Sequence, residues 1–142
     1  MKKIRLLPMV VLMAFVCMLV GCSKEKDNKI EIGSAQRVSI YYGVSSYAMF
    51  TKEEEIISTL KDCFTSLQFK ETEEKIDVLT ALSIYFFENE DADETEEKNV
   101  VLVCVDENGV FQLNGSPQSL KVSSGNFNYS DIMAIYEAGK DG

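Results

Sequence analysis

The chain of 142 residues contains no histidine. That removes imidazole as a general base and as a metal ligand, the commonest provider of either role near neutral pH. There is no glycine-rich phosphate loop, no nucleophile-elbow pattern and no Cys-x-x-Cys pair, so the usual signatures of phosphoryl transfer, ester hydrolysis and dithiol exchange are missing. Basic residues are scarce as well. Lys and Arg number 14 against 23 Asp and Glu, a formal net charge of -9. A surface of that sign is repelled by nucleic acid and by anionic headgroups, which excludes nucleic acid as a partner class. Carboxylates are plentiful, but they crowd a helix first turn and a flexible connection, where burial does not tune them for acid–base work. The composition argues against an enzyme and calls for no cofactor.

An apolar run from Leu6 to Val20 is shorter than the roughly twenty residues that a membrane-crossing helix needs. It follows Lys2, Lys3 and Arg5 and ends in Leu19-Val20-Gly21-Cys22. Basic start, short apolar core and small-residue site stand in the order of a cleaved signal. A small residue directly before the cysteine resembles the lipobox of bacterial lipoproteins. The resemblance implies diacylglyceryl transfer to the Cys22 thiol, loss of residues 1–21, and acylation or capping of the new terminus. Two acyl chains hold a protein on a bilayer where one binds only marginally. The expected location is therefore the cell membrane, lipid-anchored on the extracytoplasmic face; an uncleaved signal anchor is the competing reading. Residues 22–29 form the lipidated terminus and a short polar tether, and 30–142 have the size of one small domain.

Within that domain, Arg37 to Tyr42 alternates as a strand with Val38, Ile40 and Tyr42 on one face. Gly43 to Phe50 reads as a loop. Thr51 with Glu54 matches a capping box, and Ile56, Leu60, Cys63, Phe64 and Leu67 recur at helical spacing, predicting a helix ending near Gln68. Phe69 marks at most a short strand. Leu79 to Glu88 is β-rich and apolar on both faces; one face suits the helix, and the other is left for the last helix or a partner. Val100 to Val105 and Val110 to Leu113 flank a hairpin turn of the Asn108-Gly109 kind. A weaker strand, Ser119 to Val122, precedes a short helix from Tyr129 to Ala138, with Asn128 or Ser130 as its cap and Gly139 as its stop. The expected fold is α+β in two layers: an antiparallel meander sheet of about four to five strands packed on one long helix, with a short C-terminal helix.

Once the signal is removed and Cys22 is lipidated, Cys63 and Cys104 remain. Cys63 lies in the helix stripe. A tight Asn108-Gly109 turn places Cys104 with Leu102, Phe111 and Leu113, the more apolar face. A helix-to-sheet disulfide between Cys63 and Cys104 is then geometrically open and compatible with an extracytoplasmic location; the alternative is a pair of inert buried thiols. The acidic stretch Asn89 to Glu97 offers oxygens for calcium, but it lacks the glycine of an EF-hand loop and reads as a solvated connection, so no metal site is assigned. Tyr41, Tyr47, Phe127 and Tyr129 are either interface anchors or plugs at the ends of the core.

The mature part also resembles the small, uncharacterised lipid-anchored domains of Gram-positive bacteria, and its order of elements is similar to small extracytoplasmic sensor-type modules. The expectation is a membrane-anchored lipoprotein with a non-catalytic domain that binds a protein or envelope component. Two alternatives stay open: an accessory or inhibitor of a secreted envelope enzyme, and a precursor whose cleaved signal is released as a peptide.

Overall fold

The structure is a computed structural model that describes residues 29–95 and 99–140; the lipobox and Cys22 lie outside the described residues. Along the chain come β1 (Arg37–Tyr42), β2 (Ala48–Thr51), α1 (Glu54–Thr65), β3 (Gln68–Glu71), β4 (Leu82–Phe87), β5 (Val100–Val105), β6 (Val110–Leu113), β7 (Leu120–Ser124) and α2 (Tyr129–Gly139). The strands form a single seven-stranded sheet in the order β2-β1-β4-β5-β6-β7-β3, and every neighbouring pair is antiparallel.

This overturns the expected sheet of four to five strands on one long helix. Among the described residues the sheet dominates, and the helices are two short ones of 12 and 11 residues. The added strands are the two edges, β2 and β3. Each has four residues, too few for alternation to stand out, and each is held by its partner rather than by its own pattern. In β2, Met49 and Thr51 are buried while Phe50 is 63% exposed. In β3, Phe69 is buried and its ring lies 4.8 Å from that of Phe111.

Both helices cover the same side of the sheet. The register sets Val38 opposite Phe86, Ile40 opposite Ile84 and Leu82 opposite Val105, and all of these are buried. Onto this face α1 turns Ile57, Leu60 and Phe64. The Phe64 ring meets Phe86 and Phe111 edge-on, the arrangement the ring quadrupole favours. Helix α2 adds Ile132 and Tyr136. The Tyr136 ring leans on Tyr42, and its hydroxyl donates to the Tyr47 carbonyl at 2.9 Å.

Two local expectations change. Thr51 ends β2 instead of capping α1; its Oγ1 accepts from the Glu53 N–H, while Glu53 itself is the N-cap and makes no side-chain cap. Gly139 is the last residue of α2 rather than its stop, and a Cβ there would lie 2.5 Å from Met49 Cγ. The missing side chain lets α2 approach β2. Asn128 caps α2 as expected, accepting from the Ser130 N–H.

The β5–β6 hairpin decides which side chains reach the core. Gly109 donates to the Asp106 carbonyl, Asp106 N–H reaches the Val110 carbonyl, and Gly109 has φ +75°. Asn108 stays at negative φ, so the connection is a three-residue loop with a left-handed glycine instead of a two-residue Asn-Gly turn. The Asp106 carboxylate holds it. It is fully buried and accepts from the backbone N–H groups of Asn108, Val110 and Asp77 at 2.9, 3.0 and 2.8 Å.

The extra loop residue shifts pairing by one position, which turns every side chain to the other face. Val105 pairs with Phe111, and Cys104 pairs with Gln112. Cys104 therefore leaves the helix side, and its Sγ lies 3.5 Å from Ser83 Oγ. Cys63 stays on α1, against the core. Both cysteines are free, and the sheet stands between them, so the expected geometry for a disulfide is lost. Burial raises both thiol pKa values above the usual range.

Replacing Asp106 by Ala takes the acceptor from three backbone N–H groups, that of Val110 buried and those of Asn108 and Asp77 partly so, and is expected to cost about 3 kcal/mol, checked by urea denaturation. Alkylation of unfolded protein without reductant should label both Cys63 and Cys104; loss of label at both would mean they are bonded.

Candidate functional site

The face of the sheet opposite the helices carries its own set of side chains. From β1 come Arg37, Ser39 and Tyr41; from β2, Phe50; from β4, Ser83, Tyr85 and Phe87; from β5, Leu102 and Cys104. Ser39 lies opposite both Phe50 and Tyr85, and Tyr85 lies opposite Leu102, so these four form one row across four strands. The rings touch along it. Tyr41 meets Phe50 and Tyr85 edge-on with centroids 6.2 and 5.7 Å apart, and Tyr85 stacks on Phe87 at 6.1 Å. Ser39 is only 1% exposed beneath this cover, and its hydroxyl has no partner among the described residues.

One end of the face is closed. Arg37 sets its guanidinium over the Phe87 ring, 4.0 Å from the centroid, and donates from Nη2 to the Ala92 carbonyl at 2.8 Å. The segment after β4 is thereby strapped across the sheet, with Ala92 buried. Two further ties hold the strap: Lys52 pairs with Glu90 at 3.2 Å, and the Tyr41 hydroxyl donates to Glu94 Oε1. The Lys52–Glu90 pair is exposed on both sides and adds little, so the Arg37 and Tyr41 ties position the strap.

The Tyr41 proton is held tightly. Its hydrogen bond to Glu94 would be lost on ionisation, and together with burial and the carboxylate charge this pushes its pKa up to about 12. Burial first, and then Glu94, also raises Tyr85. Next to Glu94 the face opens into a cavity of about 470 Å³ lined by Tyr85, Glu94, Val100, Leu102 and Asn114 among others. One wall is apolar, one is aromatic, and one ends in a carboxylate.

Of the aromatic residues singled out from the sequence, Tyr41 belongs to this face and Tyr47 stands exposed in the β1–β2 loop. Phe127 and Tyr129 close the core instead. Phe127 stacks on Phe64, and the Tyr129 hydroxyl donates to the Thr80 carbonyl at 2.6 Å. Burial, ahead of nearby charge, raises Tyr129 to about 12. In the acidic segment Glu94 accepts from Tyr41, Glu90 pairs with Lys52 and Asp93 accepts from the Thr95 N–H; among the described residues no cluster of three or more His, Cys, Asp or Glu could share a metal ion. Sequence reasoning missed Arg37, Phe50, Tyr85 and Glu94. The signal for them was the strand around Leu82–Phe87 with apolar groups on both sides, since α2 covers the same face as α1.

Tyr41 and Tyr129 ionise about two pH units above an unfolded tyrosine, whose pKa is near 10. Between those values the unfolded chain has already released the proton that the native chain retains, so stability falls as pH rises through this window. Ultraviolet titration should show two tyrosines ionising only near pH 12, and Tyr41→Phe should remove one of them.

Comparison of the chain with family models, curated proteins and solved structures finds no match.

Proposed function

We propose that this chain is a lipid-anchored protein on the extracytoplasmic face of the cell membrane. Its domain binds a protein or envelope component through the helix-free face of the sheet and carries out no catalysis. The anchor rests on the basic flank, apolar run and Leu19-Val20-Gly21-Cys22 order. Among the described residues no helix is long and apolar enough to cross a membrane.

The observation that carries the binding role is an aromatic row, exposed at Phe50 and half-buried at Tyr41 and Tyr85, on a face that neither helix covers. Phe50 is 63% exposed and touches Tyr41, which touches Tyr85. Aromatic side chains of this kind bury large area at small entropic cost and are frequent anchors of interfaces. Rings joined edge to face on a sheet are also held ready for a partner, which lowers the ordering cost of association.

Two arms test the proposal in cells. A photo-crosslinking side chain at Phe50 should give an adduct of defined mass, while the same side chain at exposed Thr59 on α1 should not. Cys22→Ala should move the protein out of the membrane fraction. Equal adducts at both positions, or none, would remove the binding face. Unchanged membrane retention would remove the lipid anchor.

A further inference from the structure

We infer that the helix-free face receives a basic segment of a partner protein, with one lysine or arginine side chain lying in the groove between Tyr85 and Glu94. This deepens the proposal above and rests on it.

Charge comes first. The strap borders the face with Glu90, Asp91, Asp93 and Glu94, all exposed. Among the described residues, the two cations that reach it are already engaged: Arg37 with the Ala92 carbonyl and Lys52 with Glu90. In a chain of net charge -9, this border attracts cations and repels phosphate and anionic lipid.

The groove then fits a particular shape of cation. Lysine and arginine are apolar stems with a charged tip. Val100 and Leu102 supply an apolar wall for the stem, Tyr85 an aromatic wall, and Glu94 a carboxylate at the end. Tyr41 occupies Oε1 of Glu94, and Oε2 has no partner among the described residues. A guanidinium or ammonium there gains a charge-assisted hydrogen bond and a ring face together. The molecule makes the same kind of contact elsewhere on this face, where Arg37 sits 4.0 Å above Phe87.

The extent of the face calls for a chain segment instead of a lone small cation. Phe50, Ser39, Tyr85 and Leu102 sit on four adjacent strands. Strand spacing makes that row about 14 Å long, the reach of about four extended residues.

The test uses the full chain in non-ionic detergent, titrated at about 0.15 M ionic strength with hexa-arginine and, separately, hexaglutamate, and followed by amide chemical shifts. Hexa-arginine should perturb Tyr85, Glu94 and Leu102, and hexaglutamate should not. Glu94→Gln keeps the acceptor for Tyr41 but removes the charge; Tyr85→Leu keeps apolar volume but removes the ring. Each should weaken hexa-arginine binding about tenfold, while Glu73→Gln, beyond the far-edge strand β3, should change it less than about twofold. Equal weakening by all three variants would mean diffuse attraction to an acidic surface and would overturn the inference. So would shifts that map elsewhere, or no binding. If hexa-arginine fails while the Phe50 adduct persists, the binding face stands and the cation assignment falls; if both fail, the face itself is wrong.

Discussion

A single buried carboxylate sets the terms for the rest of this domain. Asp106 accepts from Asn108 and Val110 within its own hairpin, and from Asp77 in the loop that leads to β4. The first two bonds hold a three-residue turn and place Gly109 in the left-handed region, which glycine enters without steric cost. That turn pairs Val105 with Phe111. Phe111 consequently joins Phe64, Phe69 and Phe127 in the core, and Cys104 goes to the other side with Tyr85. The third bond ties the loop before β4 to the same point, so that loop and the β5–β6 turn share one anchor.

The consequence is a sheet with two different faces. One is closed by α1 and α2 and contains the aliphatic and phenylalanine core. Among the described residues the other is closed only at one end, where Arg37 links Phe87 to the acidic strap. A sheet of this size with both helices on one side has more apolar area than the helices cover. Along β1 and β4 the surplus is aromatic, and tyrosine suits it: the ring packs while the hydroxyl finds a partner, as Tyr41 does with Glu94. The same hydroxyl–carboxylate tie positions Glu94 beside the groove. Architecture, charge and the proposed recognition chemistry are linked through these few residues.

Much of this order was legible in the sequence, and the exceptions share a cause. Val38, Ile40 and Tyr42 alternate clearly and the Val100–Val105 run is long, and these strands appear where the pattern puts them; the α1 stripe has a sharp period, but the helix spans only Glu54–Thr65, because Thr51 belongs to β2 and Gln68 opens β3. The edge strands did not stand out because four residues carry barely two alternations, and their stability comes from β1 and β7. The side of Cys104 was inferred from the turn, and the Asn108-Gly109 pair resembles a two-residue turn so closely that the part played by Asp106 is hidden. A one-residue difference in loop length then reversed the face of a whole strand. For the open face, the two-sided apolar character of β4 was visible, whereas Arg37 and Glu94 meet it only through tertiary contacts more than fifty positions apart in sequence.

The register of the β5–β6 hairpin is the claim on which the two-faced sheet depends, and proton–proton nuclear Overhauser contacts of the Phe111 ring report it directly. Contacts are expected from Phe111 to Phe69 and Phe127, whose ring centroids each lie 4.8 Å away, with Cys104 β-protons contacting Ser83. Contacts from Phe111 to Tyr85, or from Cys104 to Phe64, would place the hairpin one residue out of register and contradict both the closed core and the open aromatic face.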